Sequence, residues 1–287
     1  MSRFSEGIGK QPRDDLKVSL AAEEVELEAW LDLFEAAPAT VRAAFQLAST
    51  RIGSMGLLAS RGIPITEFNR VMGVNLNGAL PQARLAEVTR WMDSHAHPDW
   101  AFQVAPIAGE TSNIIAIERL GFLPSGTGWA KFVANILEAP ALDLPADVTI
   151  RVADSSLSET FGTTVQAGFG LPPEGADWFA SLVGRPGWHC FIASIGAEPA
   201  GAAAMFIRQT TAWAGVCLTL SAYRERGLQS QLIAARLKTA LEHGASMVTS
   251  ETGQPLNEFE PGHSSYRNQQ RGGFERIYIR QNLKRNL

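Results

Sequence analysis

Apolar residues recur at helical spacing in the stretch that begins at Leu228 and ends just before Gly244. They occupy positions 228, 232, 233, 237, 240 and 241, with polar side chains between them. This is the pattern of an amphipathic helix, and Gly244 stands where a helix end is expected. The apolar run at 213–220, just before this stretch, favours a strand. The pattern therefore predicts a strand, a glycine-containing loop and a helix in succession.

The remaining patterning predicts elements along the whole chain. In the first half we expect helices at 23–37, 38–50, 81–95 and 113–120, and strands at 55–60, 68–76, 100–106 and 129–135. In the second half we expect helices at 156–167 and 176–183, and strands at 149–152, 188–194, 199–207 and 245–250. The alternation of helices and strands indicates an α/β (α+β) fold.

The order of elements in the first half parallels the order in the second half. The strand at 68–76 matches 213–220, the helix from Pro81 matches the helix from Gly227, and a Gly-Phe pair precedes a strand at both 121–122 and 273–274. We interpret the chain as a tandem of two related folds, residues 1–140 and 147–287, joined by a proline-containing linker. The alternative is that two α/β halves look alike by chance.

Composition excludes several classes of protein. The 287 residues suffice for two domains, and 45% hydrophobic and 19% charged residues are typical of a globular protein. A net charge of −4 argues against nucleic acid as the main partner. Cys190 and Cys217, the only cysteines, are too few for a four-cysteine zinc site or a disulfide scaffold. With neither a signal peptide nor a membrane-spanning run in the sequence, we expect a cytoplasmic protein.

The loop that opens the helix at Leu228 carries the candidate chemistry. A helix N-terminus presents free N–H groups and a partial positive charge, which suit phosphate oxygens. Gly227 lets the backbone approach a ligand closely, and Arg224 and Arg226 add positive charge. The loop resembles the acyl-CoA-binding loop of the GCN5-related N-acetyltransferase (GNAT) family, Gln/Arg-x-x-Gly-x-Gly/Ala. Arg224 and Gly227 match this pattern, whereas Gln229 replaces its small third residue.

A second stretch, residues 265–280, resembles the later helix, Gly-Phe turn and final strand of the same family. The resemblance spans residues 149–287 and implies two tandem acyl-CoA N-acyltransferase-like folds, each a mixed, mainly antiparallel sheet flanked by helices. It implies acetyl-CoA as acyl donor, no metal, and direct attack by an amine of a small molecule, amino acid or peptide in a ternary complex. The expected cofactor contacts are Leu218, Thr219, Leu220, Arg224, Arg226, Gly227, Leu228, Gln229, Ser230, Asn268 and Arg271.

The resemblance also implies where the acceptor and the proton-transfer groups lie. By its position in the family, the segment 156–183 covers the acceptor site, so Phe169, Leu171 and Trp178 are expected to line a pocket or else to be ordinary core residues. Glu251, at the end of the strand 245–250, is the expected base, and Glu258 and His263 are alternatives. Many family members place an acidic tyrosine where this chain has Gln269. Tyr266, one turn earlier, is the candidate acid.

The first half lacks these features in its equivalent loop. Residues 77–81 carry no basic residue, and Pro81 removes an N–H that a phosphate would need. We therefore expect a degenerate first half that serves as a scaffold. Two rival functions remain open: a non-catalytic acyl-CoA-binding or sensor protein, and a nucleotide-binding enzyme. The second is disfavoured because no Lys-Ser/Thr pair follows Gly227.

Overall fold

The computed structural model describes residues 12–107, 110–138, 140–142, 144–257, 260 and 262–285. The helices are α1 (Pro12–Ala36), α2 (Ala39–Phe45), α3 (Gln82–His95), α4 (Glu110–Glu118), α5 (Ser158–Phe169), α6 (Glu174–Ala180), α7 (Leu228–Glu242) and α8 (Ser264–Arg271). Helix α7 is the predicted amphipathic helix, and it buries Leu228, Leu232 and Ile233.

Strands of the first half are β1 (Leu47–Ile52), β2 (Met55–Ser60), β3 (Arg70–Met72), β4 (Ala101–Val104), β5 (Phe122–Pro124) and β6 (Trp129–Asn135). Strands of the second half are β7 (Val148–Val152), β8 (Trp188–Ile195), β9 (Glu198–Arg208), β10 (Thr211–Trp213), β11 (Cys217–Thr219), β12 (Met247–Gly253) and β13 (Glu275–Arg285). All thirteen form one mixed sheet. The predicted fold class, a tandem of sheets flanked by helices, is confirmed.

Several predicted elements differ from the structure. The strand expected at 68–76 is limited to β3, because residues 66–68 form a 3-10 turn and Gly73 has a left-handed φ of 70°. The helix expected at 23–37 begins earlier, at Pro12. The expected helix at 38–50 ends at Phe45, because Gln46 adopts a left-handed conformation with φ of 50° and the chain turns into β1. The expected single strand at 213–220 is broken into β10 and β11. The ring of Trp213 folds back over Gly215, where a Cβ would stand only 2.0 Å from the ring. The break therefore depends on a residue without a side chain.

Each half of the sheet is completed by a strand from the other half. Strand β6 lies between β12 and β13 and is antiparallel to both. The end of β13, residues 281–285, lies between β4 and β5 of the first half. The two halves are therefore interlocked through the middle of the sheet.

Helix α1 lies against both halves. It packs on β1 and β2 of the first half and on β9, β10 and β12 of the second. Its Leu33 carbonyl accepts a hydrogen bond of 2.8 Å from Trp178 Nε1. Its Asp32 pairs with Arg185 at 2.6 Å and accepts from Trp188 Nε1 at 2.7 Å. The first helix is thus part of the core of the second half.

A buried network of charges crosses the same boundary. Three carboxylates pair with three cationic side chains; the members are Glu23, Glu26, Glu251, Arg70, Lys131 and Arg280. Glu26 is fully buried and contacts Lys131, Arg280 and Arg70. Burial, followed by the charge of Arg280, lowers the pKa of Lys131 well below its usual value. Each of the three carboxylates thus has at least one cationic partner in the network.

Candidate active site

The candidate site begins where the sheet of the second half opens. Strand β10 is parallel to β12 up to the pair of Trp213 and Thr249, and Ala214 N donates to Thr249 O at 2.7 Å. Beyond this point β12 continues to Gly253, while β11 pairs only with β9. The break at Gly215 therefore opens a wedge between β11 and β12.

The edge of β11 that faces this wedge presents unpaired backbone groups. Ala204 N donates to Val216 O, and Leu220 N donates to Ala200 O, so the even-numbered residues bond to β9. Because antiparallel pairing alternates, the N–H and C=O groups of Cys217 and Thr219 point to the opposite edge. An extended ligand could add to this edge like a strand. Of the three backbone contacts expected at 218–220, the register leaves Thr219 available, whereas the backbone groups of Leu218 and Leu220 face β9.

A cavity of about 740 Å³ lies beside the predicted loop at the start of α7. Gly227 has a φ of 75°, and a Cβ there would meet no atom within 4 Å, so the backbone lies open to the cavity. Nine of the eleven predicted cofactor contacts line it: Leu218, Thr219, Arg224, Gly227, Leu228, Gln229, Ser230, Asn268 and Arg271. Leu220 and Arg226 do not. Arg226 instead pairs with Asp147 at 3.0 Å on the surface.

Gln229, the departure from the family pattern, is held by α8. Its Nε2 donates to Ser265 Oγ at 3.4 Å, and its Oε1 accepts from Asn268 Nδ2. Arg271 Nη2 in turn donates to Asn268 Oδ1 at 2.5 Å. The long side chain therefore ties the start of α7 to α8, rather than projecting freely from the turn at Gly227.

A second cavity of about 350 Å³ continues from the wedge toward the first half. The two cavities share Phe169, Cys217, Gln229 and Ser265. Predicted residues Phe169 and Leu171 line the second cavity, as does Glu251. Trp178 does not; it is fully buried and packs on Phe34, Phe45 and Phe68.

Glu251 reaches this second cavity from β12, but its oxygens already accept hydrogen bonds. Arg70 Nη1 donates to Oε1 at 2.9 Å, and Arg280 Nη2 donates to Oε2. The side chain is 11% exposed. The structure therefore places the expected base at the cavity and fixes its orientation through one arginine from each half.

The other candidate proton-transfer groups lie at different places. Tyr266 packs on Phe132, and its hydroxyl accepts from Arg276 at 3.3 Å. It lines neither cavity. Gln269 lines the second cavity, and its buried Oε1 has no hydrogen-bond partner among the described residues. His263 lies beside Glu260 at 3.4 Å, and Glu258 is outside the described residues.

The first half contributes residues that sequence analysis missed. Trp30 and Leu33 of α1, Glu67 and Phe68 of a 3-10 turn, and Trp129 of β6 line the second cavity. Arg70 lies between the rings of Trp30 and Trp129, 4.4 and 4.8 Å from their centroids. No local spacing signals these contacts, because they join separate elements that are far apart in the sequence. In the sequence, Trp30 lies in a predicted helix, and Phe68 and Trp129 each begin a predicted strand, but no pattern marks them as site residues.

The turn of the first half that corresponds to the loop at Gly227 is closed by an asparagine. Asn113 of α4 accepts from Leu80 N at 2.8 Å and donates to Gly78 O at 3.0 Å and Asn75 Oδ1 at 2.7 Å. Asn113 is 1% exposed. The backbone groups of this turn are thus satisfied by the protein itself.

Cys217 lies where the two cavities meet. Burial raises the pKa of its thiol, and Arg236 only partly opposes this effect. A protonated thiol is a poor nucleophile. The surroundings of Cys217 therefore do not activate its thiol as a nucleophile.

Two further observations concern metal ions and membranes. Within the described ranges, no three His, Cys, Asp or Glu side chains are grouped as metal ligands. In those same ranges, no helix has both the length and the apolar content required to cross a membrane.

Comparison with known proteins identifies the family of this site. Residues 156–259 match the model of the Acetyltransferase (GNAT) family. This segment contains the loop at Gly227, the wedge and Glu251. The predicted recognition of a GNAT-type chain is confirmed. No curated protein matched the chain.

Solved structures resemble nearly the whole chain. A GCN5-related N-acetyltransferase from Kribbella flavida aligns with a TM-score of 0.61 and 14% identity, over 92% of this chain and 96% of that one. A GCN5-related N-acetyltransferase from Sphaerobacter thermophilus aligns with a TM-score of 0.58 and 16% identity, over 96% of this chain and 92% of that one. A tandem GNAT protein from the clavulanic acid biosynthesis pathway aligns with a TM-score of 0.56 and 16% identity, over 92% of this chain and 95% of that one. At such identities the likeness shows a shared tandem fold.

Proposed function

Since the second half of this chain belongs to the acetyltransferase (GNAT) family through residues 156–259, we propose that the protein transfers an acetyl group from acetyl-CoA to an amine. The observation that carries the proposal is the meeting of two cavities at the wedge between β11 and β12. The cavity at the start of α7 suits the cofactor. The cavity that reaches the first half suits the acceptor.

The donor would be held by backbone groups and arginines. The start of α7 offers free N–H groups to the pyrophosphate, and Arg224 and Arg271 line the same cavity. The arm of the cofactor would add to the free edge of β11 at Cys217 and Thr219. This arrangement carries the thioester into the wedge, beside the second cavity. Holding donor and acceptor in this way makes the attack effectively intramolecular.

The chemical step moves one acetyl group and one proton. The neutral amine nitrogen attacks the thioester carbonyl carbon, the C–S bond breaks, and CoA leaves as its thiolate. Glu251, directly or through a water molecule, is proposed to take the proton that the amine loses. Tyr266 as general acid stays a prediction, and its contact with Arg276 does not support it. The thiolate can instead be protonated by solvent.

The proposal is tested by binding and turnover together. Isothermal titration should give one acetyl-CoA site per chain, and a panel of amines should yield acetylated product together with free CoA thiol. Acetyl-CoA binding without turnover of any amine would favour the second candidate, an acyl-CoA-binding protein without catalysis. The observation behind that candidate is that both oxygens of Glu251 are already hydrogen-bonded to arginines.

The division of labour between the halves is proposed along with the function. Residues 147–287 would supply the acetyltransferase chemistry. Residues 1–140 would be a degenerate relative that serves as a scaffold and, through Trp30, Glu67 and Trp129, forms part of the wall of the acceptor cavity.

A further inference from the structure

The acceptor cavity, the one of about 350 Å³ that reaches the first half, is lined by aromatic side chains and by carboxylates. Its side chains include six aromatic residues, namely Trp30, Phe68, Trp129, Phe169, Phe179 and Trp213. Two carboxylates, Glu67 and Glu251, face it, and no lysine or arginine is among its lining residues. We propose that the acceptor is a small monoamine with an aromatic or similarly apolar body, whose ammonium group is bound by Glu67. This inference rests on the proposed acetyltransferase function.

The two carboxylates differ in their charge balance. Glu251 belongs to the buried network in which three carboxylates face three cations, so its charge is already compensated. Glu67 is half-buried and makes no hydrogen bond or ion pair within the described part of the chain. Burial lowers the pKa of Arg70 well below its usual value, and the nearby charge of Glu67 opposes this only in part. The guanidinium of Arg70 donates to Gln103 and Glu251, not to Glu67. Glu67 therefore leaves one negative charge at the cavity for a ligand to neutralise.

The cavity also contains an unsatisfied acceptor of hydrogen bonds. Gln269 is 5% exposed, lines the cavity and leaves its Oε1 without a partner among the described residues. A buried carbonyl oxygen without a hydrogen-bond donor is destabilising. An ammonium group has three N–H donors. Glu67 and Gln269 both line this cavity and offer acceptors to such a group. For acetyl transfer the bound ammonium first releases one proton to solvent water; the neutral nitrogen then attacks the thioester, and Glu251 takes the second proton.

The same lining disfavours other amines. An amino acid would bring a carboxylate into a cavity whose lining offers no cationic side chain, and burying an unpaired carboxylate is costly. A polyamine or amino sugar would bring further charges that a single uncompensated carboxylate cannot balance. A volume of about 350 Å³ is near the lower end of small-molecule sites, which suits one ring and a short chain.

The direct test compares two aromatic monoamines with an amino acid and with a polyamine that has no ring. We expect 2-phenylethylamine and tryptamine to be acetylated with kcat/KM at least tenfold above that of phenylalanine, which adds a carboxylate, and of spermidine, which adds charges. Binding to the CoA-loaded protein is followed separately by quenching of tryptophan fluorescence, since three tryptophans line the cavity. The uncharged 2-phenylethanol should bind at least tenfold more weakly than 2-phenylethylamine.

A pair of variants tests the role of Glu67. Glu67→Gln keeps the shape and removes the charge, so KM for 2-phenylethylamine should rise at least tenfold while kcat changes little. Glu198→Gln, at an exposed position in the β8–β9 hairpin, is the matched control and should leave both constants unchanged. Unchanged KM in Glu67→Gln, or a preference for phenylalanine or spermidine, would overturn the inference.

Failure of this inference can be told apart from failure of the proposed function. Turnover of spermidine or phenylalanine in preference to the aromatic amines would sustain acetyl transfer and overturn the acceptor class. Absence of turnover with every amine, together with binding of 2-phenylethylamine that Glu67→Gln weakens tenfold, would overturn the function and support the binding site. Absence of both turnover and amine binding would overturn the two together.

Discussion

Both halves of this protein have a glycine with a left-handed φ in the loop between a strand and a helix, but the surroundings of the two glycines differ. At the start of α3 the turn is filled by Asn113, which accepts from Leu80 N and donates to Gly78 O. At the start of α7 the corresponding turn opens on a cavity of about 740 Å³. Gly78 and Gly227 have nearly the same φ, 79° and 75°. The fold thus supplies the turn in both halves, and the side chains around it decide whether a ligand can enter.

The largest effect is expected from deleting the first half of the chain. A fragment of residues 146–287 loses β6 from between β12 and β13, and loses α1 from its core. We expect it to be insoluble or to lack a cooperative thermal transition in circular dichroism. Co-expression with residues 1–145 should restore solubility, because the exchanged strands can pair again. A fragment that alone is soluble, as stable as the whole chain and fully active would show that the first half has another role.

Next in size is the effect of removing the proposed base. Glu251→Gln should lower kcat by about 10²–10⁴-fold, with KM for acetyl-CoA kept, and abolish the acid limb of the pH–rate profile. The control is Glu26→Gln, which removes a charge from the same network but lines neither cavity. Glu26→Gln should act mainly on stability. We expect a lower melting temperature and a smaller loss of kcat than in Glu251→Gln. Equal losses of kcat in the two variants would mean that Glu251 acts only through the network.

The turns themselves can be compared by matched substitutions. Gly227→Asp should weaken acetyl-CoA binding by about 100-fold or more, roughly 2.7 kcal/mol, since a carboxylate would meet the pyrophosphate. Gly78→Asp introduces the same residue at the same backbone conformation in the first half, and should leave titration with acetyl-CoA unchanged. Equal weakening by both would assign the loss to strain in the fold.

The smallest effect is expected from the tyrosine hydroxyl. Tyr266→Phe removes the group that accepts from Arg276, at a cost to stability of about 0.5–1.5 kcal/mol. We expect kcat to fall by less than about tenfold, which corresponds to under 1.4 kcal/mol of barrier. A loss of a hundredfold, measured at saturating amine and acetyl-CoA, would assign the general acid to Tyr266 after all.

The sequence predicted those parts of the site that depend on neighbouring residues. Arg224, Gly227 and the apolar spacing of α7 lie within one continuous stretch, so a local pattern was enough to place the loop. Strand–helix order also predicted a tandem. By contrast, nothing near Glu67 or Trp30 indicates a cavity, because the second half must fold against them first. The contact of Glu251 with Arg70 joins residues 181 positions apart.

The break between β10 and β11 was missed for a different reason. The run at 213–220 is apolar throughout, and such a run predicts a continuous strand. The pattern therefore predicts that Gly215 is one more residue of a single strand. The reason for the break is the packing of the Trp213 ring over Gly215, which is a tertiary contact and leaves no periodic signal.

The exchange of strands also orders events during synthesis. Strand β6 emerges from the ribosome more than a hundred residues before β12 and β13, between which it lies. Strand β4 pairs with β3 on one edge and receives its second partner only from residues 281–284. The nascent first half must therefore carry unpaired strand edges until β13 has been synthesised, a state prone to aggregation. Pairings over such separations also slow folding. For this chain, elongation rate and chaperone supply should govern the yield of active protein.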